Sequence, residues 1–495
     1  MNVDDGEMLP TDPMQSGTSI MSSHNTGQPE DVSTQDRLHP ASPLRDVSSR
    51  HVQHREAVLR DVRIETLQRW LSLGAAILII TTWPLWTPQD QFPRIPLLQS
   101  LASLSRTWVA ASTWFALLLG LSASVGGLIS AHQRRWARGC ASGLVIAFFV
   151  LVLLDQHRLQ PWCVHIGVAL LLATFAVPAR RRSYLSWYIA SIYLYSAIAK
   201  FDAQFIHTVG QEFARTALKV VGWRAALADE ATLISIASAF PIGELAIGLG
   251  LLVRTTRLLA AWASILMHLL VLAILGPWGL NHAWGVSMWN VVFLVQNILL
   301  FMPSPPAIGT NALAASNGLD NGPPTSAKTR TGTFALRWSD VVFAMAVVMP
   351  AGERSGWVDH WLGWAVYAPH SSRARIEIAA AAVDSLPSVV QPFVLCGVNG
   401  QSSAWCEVRI DQWSLATLGV PVSPQQRFHI GVARSLAASI DERDIRIELL
   451  SSAQRWTGER QRRQLRGTAE LQTAAQAYWW NTVPSFDSSP MTMHD

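Results

Sequence analysis

Lys200 closes the apolar run that begins at Trp187, and Tyr193, Ser196 and Lys200 recur at helical spacing, so they share one face. A lysine on a helix otherwise suited to lipid is costly, and it marks either a site or a side chain snorkelling at a helix end. Removal from water disfavours an ammonium, and a neutral amine in an apolar setting is able to take a proton from a weakly acidic phenol. Asp202, two residues on, would hold the lysine charged if it faced it, although positions i and i+2 do not share a helical face. Three more ionisable groups lie in apolar runs: Glu244 within 231–253, His268 within 257–275, and His165 near the start of 161–178. A carboxyl at mid-membrane must be protonated, paired or beside a wet cavity. The simplest partner for Glu244 is His268, because a tight turn joins their segments and packs them antiparallel. Such groups either carry chemistry or only fasten the bundle by interhelical hydrogen bonds, and for His165, near the interface, the fastening role is the stronger reading.

The elements that must position these groups are membrane helices. Of 495 residues, 50% are hydrophobic and only 15% charged, against about 25% charged in soluble domains; mean hydropathy is +0.22. The net charge of +4 resides in arginines of short loops, which orient a chain in a bilayer and give no reason to expect nucleic acid. Nine spans are expected, at 70–86, 108–129, 139–154, 161–178, 184–200, 231–253, 257–275, 284–302 and 336–351. With a cytoplasmic N-terminus, the arginine-dense loops at 134–138, 180–182, 254–257 and before 337 fall inside, and those at 155–160, 200–230 and 276–284 fall outside. The outer 200–230 stretch carries Lys200, Arg215, Lys219 and Arg224, which suits a re-entrant or surface-lying amphipathic helix from Glu212 to Ala226.

Around this core (63–305) the polar segments divide as follows. Residues 1–62 read as a disordered cytoplasmic tail without the short hydrophobic core of a signal peptide. Residues 306–335 read as a cytoplasmic linker. Residues 336–370 hold the last span and an aromatic segment, Trp357, Trp361, Trp364 and Tyr367, that is either an interfacial belt or a packed cluster. Residues 371–495 read as a small extracytoplasmic α+β domain, with strands near 375–378, 408–410 and 445–449 and a helix after Trp456. Four cysteines without a CxxC pair argue against a thiol-redox or zinc site. Cys396 and Cys406 either form a disulfide on an oxidising side or stay as two buried thiols.

The run Tyr195-Ser-Ala-Ile-Ala-Lys200-Phe-Asp202-Ala203 resembles the lysine segment of vitamin K-dependent gamma-carboxylase and of the bacterial HTTM (horizontally transferred transmembrane domain) proteins. The Gly243-Glu244 … Gly248 … His268 stretch is similar to that family's acidic, glycine-rich span and later histidine, and the likeness covers about 65–305. It implies that Lys200 is the base that deprotonates a reduced quinone, with Glu244 and His268 as polar partners. It further implies a substrate site near Tyr193, Tyr195, Asp202, His165 and Trp162. Two positions depart from the pattern: Phe201 replaces a leucine, and Trp162 stands where the family has a histidine, with His165 three residues later. MauE- and DoxX-type membrane proteins are similar more distantly. The expectation is therefore an all-α polytopic membrane bundle with a small C-terminal α+β domain in the cell inner membrane. Its partners are the bilayer, a lipid-soluble quinone as cosubstrate and an extracytoplasmic protein. The alternative is a non-catalytic scaffold or redox-associated subunit. Transport is less favoured, for want of an internal repeat.

Overall fold

The computed structural model describes residues 43–130, 133–223, 228–303, 337–397 and 404–485, with side chains described from Asp61 onward. The expected linker lies outside the described residues, as does most of the expected tail; helix α1 (Pro43–Thr81) begins within the rest of that tail. A short α2 (Trp83–Trp86) follows, then α3 (Arg106–Ser130), α4 (Arg134–Leu154), α5 (Pro161–Phe175) and α6 (Pro178–Lys200). Next come α7 (Ala203–His207), α8 (Val209–Val220), α9 (Glu230–Leu252), α10 (Arg257–Leu275), α11 (Trp284–Phe301) and α12 (Trp338–Val348). Six of these are long and apolar enough to cross a bilayer: the Asp61–Thr81 part of α1, α3 through Ile129, α4, α9, α10 and α11.

The three remaining segments of the nine expected are of another kind. Helix α5 has 15 residues and α12 has 11, short of the ~20 that cover the hydrocarbon. Helix α6 has 23, but it begins with Arg180-Arg181-Arg182, ends on Lys200, and buries Tyr188, Ser191 and Tyr193 inside the bundle. It is a central helix walled by protein, which is why its sequence is less apolar. On the flanks, by contrast, Phe115, Leu118, Phe149, Leu259 and Leu266 are exposed, as lipid-facing side chains must be. One end of the bundle holds a group of arginines: Arg182 donates to Leu300 O at 2.9 Å, Arg63 to Met302 O, and Arg180 meets Asp340 at 3.6 Å.

The C-terminal part adds strands β1 (Arg373–Ala379), β2 (Val394–Cys396), β3 (Trp405–Val408), β4 (Ile445–Leu450) and β5 (Arg462–Arg466), interleaved with helices α13 (Ile410–Leu418), α14 (Gln426–Ala437) and α15 (Gly467–Ala475). The sheet is antiparallel, in the order β2-β3-β1-β4-β5. Along β1 the alternation turns Ala374, Ile376 and Ile378 inward, and Ile376 lies between Val408 and Ile447. The stretch after Trp456 is a strand followed by a helix, where a helix alone was expected. Within Arg462-Arg-Gln-Leu-Arg only Leu465 is buried, the pattern of an edge strand, and Gly467 (φ 70°) turns the chain into α15. Cys396 and Cys406 face each other across β2 and β3 and are joined by a disulfide.

This domain docks on the loops at the end of the bundle opposite Arg63, Arg180 and Arg182. Gly431 of α14 brings its backbone against Ile95, so that a Cβ there would stand 2.5 Å from Ile95 Cδ1. Phe428 stacks on Phe92, Trp413 donates to Gln91 O at 2.9 Å, and Ala203 N donates to Arg455 O at 2.8 Å. Arg427 of α14 is clamped by both oxygens of Asp359 (2.6 and 2.5 Å) and by Gln156 (2.7 Å). Its neighbour His429 is buried, with Nε2 donating to Ser423 O at 2.9 Å and Nδ1 accepting from Ala374 N at 3.2 Å. Burial pushes its imidazole down to about 4. The folded chain thus refuses a proton that the unfolded chain accepts below about 6.5, so stability falls as pH drops from 6.5 and levels off near 4. The expected loss is on the order of 3 kcal/mol across that window. Thermal unfolding of wild type and His429→Gln between pH 7 and 4 tests this: the variant should lose clearly less.

Candidate functional site

Helices α6, α9, α10 and α11 enclose a cavity of about 900 Å³, closed at one end by α8 and by the 364–367 segment. Its wall is almost wholly apolar. Leu249, Val253, Leu259 and Leu266 line it and are each more than half exposed, so it opens sideways through the lipid-facing flank between α9 and α10. The polar residues of the four helices that reach it are Tyr193, Ser196 and Lys200 from α6, Glu244 from α9, His268 from α10 and Asn290 from α11; Thr256 and Tyr367 line it from the connecting segments.

Close packing of α6 on α9 brings the first polar group together. A Cβ at Gly248 would lie 2.7 Å from Leu194 Cδ2 and 3.2 Å from the Leu194 backbone N, so only glycine admits this approach. One turn before it, Glu244 meets the end of α6. Lys200 Nζ donates to Glu244 Oε1 and Oε2 at 2.9 and 2.8 Å and to Ser196 Oγ at 2.5 Å. The ammonium therefore spends all three of its N–H donors, and its side chain is 5% exposed. The expected Glu244–His268 pair does not form; the carboxylate takes the stronger, charged partner across α6 and α9.

His268 belongs to a second network whose donor directions follow from its ends. Asn290 Nδ2 donates to Val286 O at 2.9 Å, so Asn290 Oδ1 is free to accept from His268 Nδ1 at 3.0 Å. His268 Nε2 is then an acceptor, and Tyr193 OH donates to it at 2.7 Å. Asn297 Nδ2 completes the chain by donating to Tyr193 OH at 2.6 Å. The cavity thus holds one ion pair and one neutral hydrogen-bond chain, both rooted in α6.

The other expected site residues are placed elsewhere. Tyr195 OH donates to Val347 O at 2.9 Å and holds the 347–349 turn. Asp202 caps α7 by accepting from Gln204 N at 2.9 Å and pairs with Arg354 at 2.6 Å. His165 accepts from Trp289 Nε1 at 3.1 Å and stacks on Phe293; its Nε2 makes no well-formed hydrogen bond, though the Gln296 amide lies close. Trp162 packs against Trp86 and Phe148 in the core. None of these four lines the cavity.

No family model, curated protein or solved structure matches this chain.

The sequence reading missed Asn290 and Asn297, although amides inside the apolar run of α11 are as conspicuous as a charge in a span. It also missed Glu353, His360 and His370. The aromatic segment that contains His360 divides by side: Trp357 is 89% exposed, while Trp364 is buried against the cavity.

Proposed function

We propose that this is an inner-membrane enzyme of the HTTM/gamma-carboxylase-like kind that draws a lipid-soluble, quinol-type substrate from the bilayer and removes a hydroxyl proton. One observation carries the reading: an ionisable lysine–carboxylate pair at the wall of an apolar cavity whose mouth faces lipid. Because Lys200 donates all three protons, its lone pair exists only after a proton has passed to Glu244, so the two act as one base. The quinol O–H breaks, its proton goes to the pair, and the electron pair stays on oxygen as a quinolate beside the cationic lysine. Tyr193 and His268 would orient the substrate ring and hydroxyl. A nine-span path, with α5 and α6 largely buried in the bundle and α12 on its flank, keeps the end with Arg63, Arg180 and Arg182 cytoplasmic and sets the docked domain on the oxidising side; the disulfide supports that side. The domain is then the surface that an extracytoplasmic protein substrate would meet.

The scaffold reading has an observation of its own: within the described residues both polar groups are already satisfied by protein, as interhelical fasteners would be. The discriminating experiment follows oxygen-dependent consumption of a reduced naphthoquinone by purified protein, wild type against Lys200→Ala. The expected result is consumption that falls at least a hundredfold in a folded variant. No consumption and no quinol binding by folded wild type would overturn the catalytic reading and leave the scaffold.

A further inference from the structure

A second cluster of chemistry-bearing side chains lies in the segment that joins α12 to the C-terminal sheet. Glu353 Oε1 stands 2.7 Å from His360 Nδ1 and 2.9 Å from His370 Nε2. One potential ligand atom from each of the three residues lies within 4.8 Å of the others, and the side chains are 10%, 5% and 2% exposed. His360 Nε2 donates to Ala368 O at 2.8 Å, which fixes the ring and turns the Nδ1 lone pair toward the carboxylate. Two electron-rich atoms at that separation hold either a proton or a metal ion between them. Among the described residues His370 Nδ1 has no hydrogen-bond partner, and Nε2 is the nitrogen turned to the carboxylate.

We propose that Glu353, His360 and His370 bind a divalent transition cation of the zinc class. Two imidazole nitrogens and one carboxylate oxygen are a donor set such ions favour, and a ligating histidine characteristically gives its second N–H to a carbonyl, as His360 does to Ala368. Ligand atoms about 2.05 Å from a tetrahedral zinc are about 3.3 Å apart. The observed 2.7 and 2.9 Å would open by about half an ångström, and the two histidine nitrogens, within 4.8 Å of each other, would settle to the same spacing, the metal replacing the shared protons. The surrounding chain is shaped for the cluster. A Cβ at Gly363 would lie 2.4 Å from Glu353 Cβ, so glycine is required for the carboxylate to reach its partners. Trp364 and Tyr367 are held at φ 59° and 62°, a conformation bulky residues adopt only when their surroundings impose it. Both line the membrane cavity. The cluster therefore clamps a strained loop whose aromatic side chains form the cavity's end wall, and the ion would be a structural fastener of that wall with one position left for an outer ligand.

The test uses the full-length, untagged protein in detergent, stripped with a chelator and then offered Zn²⁺ or Co²⁺ alone. The expected result is about one tightly held equivalent of zinc per chain and, with cobalt, a visible ligand-field band whose X-ray absorption fits two imidazoles and a carboxylate. His370→Ala and Glu353→Gln should each weaken retention at least tenfold and remove the band, with the fold checked by circular dichroism; Glu353→Gln keeps the shape of the side chain. Folded wild type that retains no metal overturns the proposal. So does a cobalt shell of other composition, or a band unchanged in both variants. The wild-type spectrum decides the matter even if a variant fails to fold.

Discussion

Glu244→Ala is expected to destabilise the folded protein by about 3–5 kcal/mol, because it leaves the Lys200 ammonium buried with Ser196 as its remaining hydrogen-bond partner. The same reasoning predicts that Lys200→Met combined with Glu244→Leu recovers most of the loss. The double variant removes both charges together, and apolar side chains of similar volume suit the cavity wall. Function should separate from stability in this comparison, since the double variant would be folded and unable to accept a proton. Unfolding in detergent for the wild type, the two single variants and the double variant gives the coupling energy directly. If Glu244→Ala melts with the wild type, the pair is not the buried contact described.

Arg427→Ala should loosen the C-terminal domain by a comparable amount, about 3–5 kcal/mol, by stranding Asp359 and Gln156 in the interface. Arg427→Lys should restore little. A single ammonium cannot reproduce a planar fork that meets two carboxylate oxygens and an amide oxygen at once. Limited proteolysis reads the effect: the interval between α12 and β1 should be cut much faster in both variants, while the six long helices stay protected. Unchanged cleavage would show that aromatic packing around Phe92 and Phe428 holds the domain without the ion pair.

The two predictions concern residues that the sequence exposed to different degrees. Lys200 and Glu244 stand out in one dimension, as charges inside apolar runs, and both line the cavity. Their pairing was hidden, because chain proximity favoured His268 on the adjacent α10, whereas the tight contact that Gly248 permits sets α9 against α6. Helices with one lipid-facing side announce themselves by hydropathy. Helix α6, wrapped by its neighbours, is free to carry tyrosines and serines and so looks less like a membrane span. The alternating strands β1 and β4 were legible from their period of two. Strand β5 was not, since an exposed edge with one inward leucine has almost no hydrophobic pattern to read. Arg427 was invisible for a different reason: nothing in a sequence links it to Asp359, 68 residues away, or to Gln156, 271 away.

That separation governs how the chain can be made. The 94–97 segment beyond the first membrane helix receives its partners from the far end: Asn481 N donates to Leu97 O at 3.2 Å, Asn481 Nδ2 to Pro96 O at 3.0 Å, and Ser485 N to Arg94 O at 3.0 Å. During synthesis the loop waits through 391 residues for Ser485, which also accepts a hydrogen bond from the Arg94 side chain. Residues 153–156 already hold part of this segment, through Leu97 N to Leu153 O and Gln156 N to Ile95 O, both at 2.9 Å, so the C-terminal bonds complete a contact begun early in the chain. The last residues of the chain thus act as a latch, and a chain that ended before residue 481 would lack the bonds from Asn481 and Ser485 that tie the C-terminal domain to 94–97.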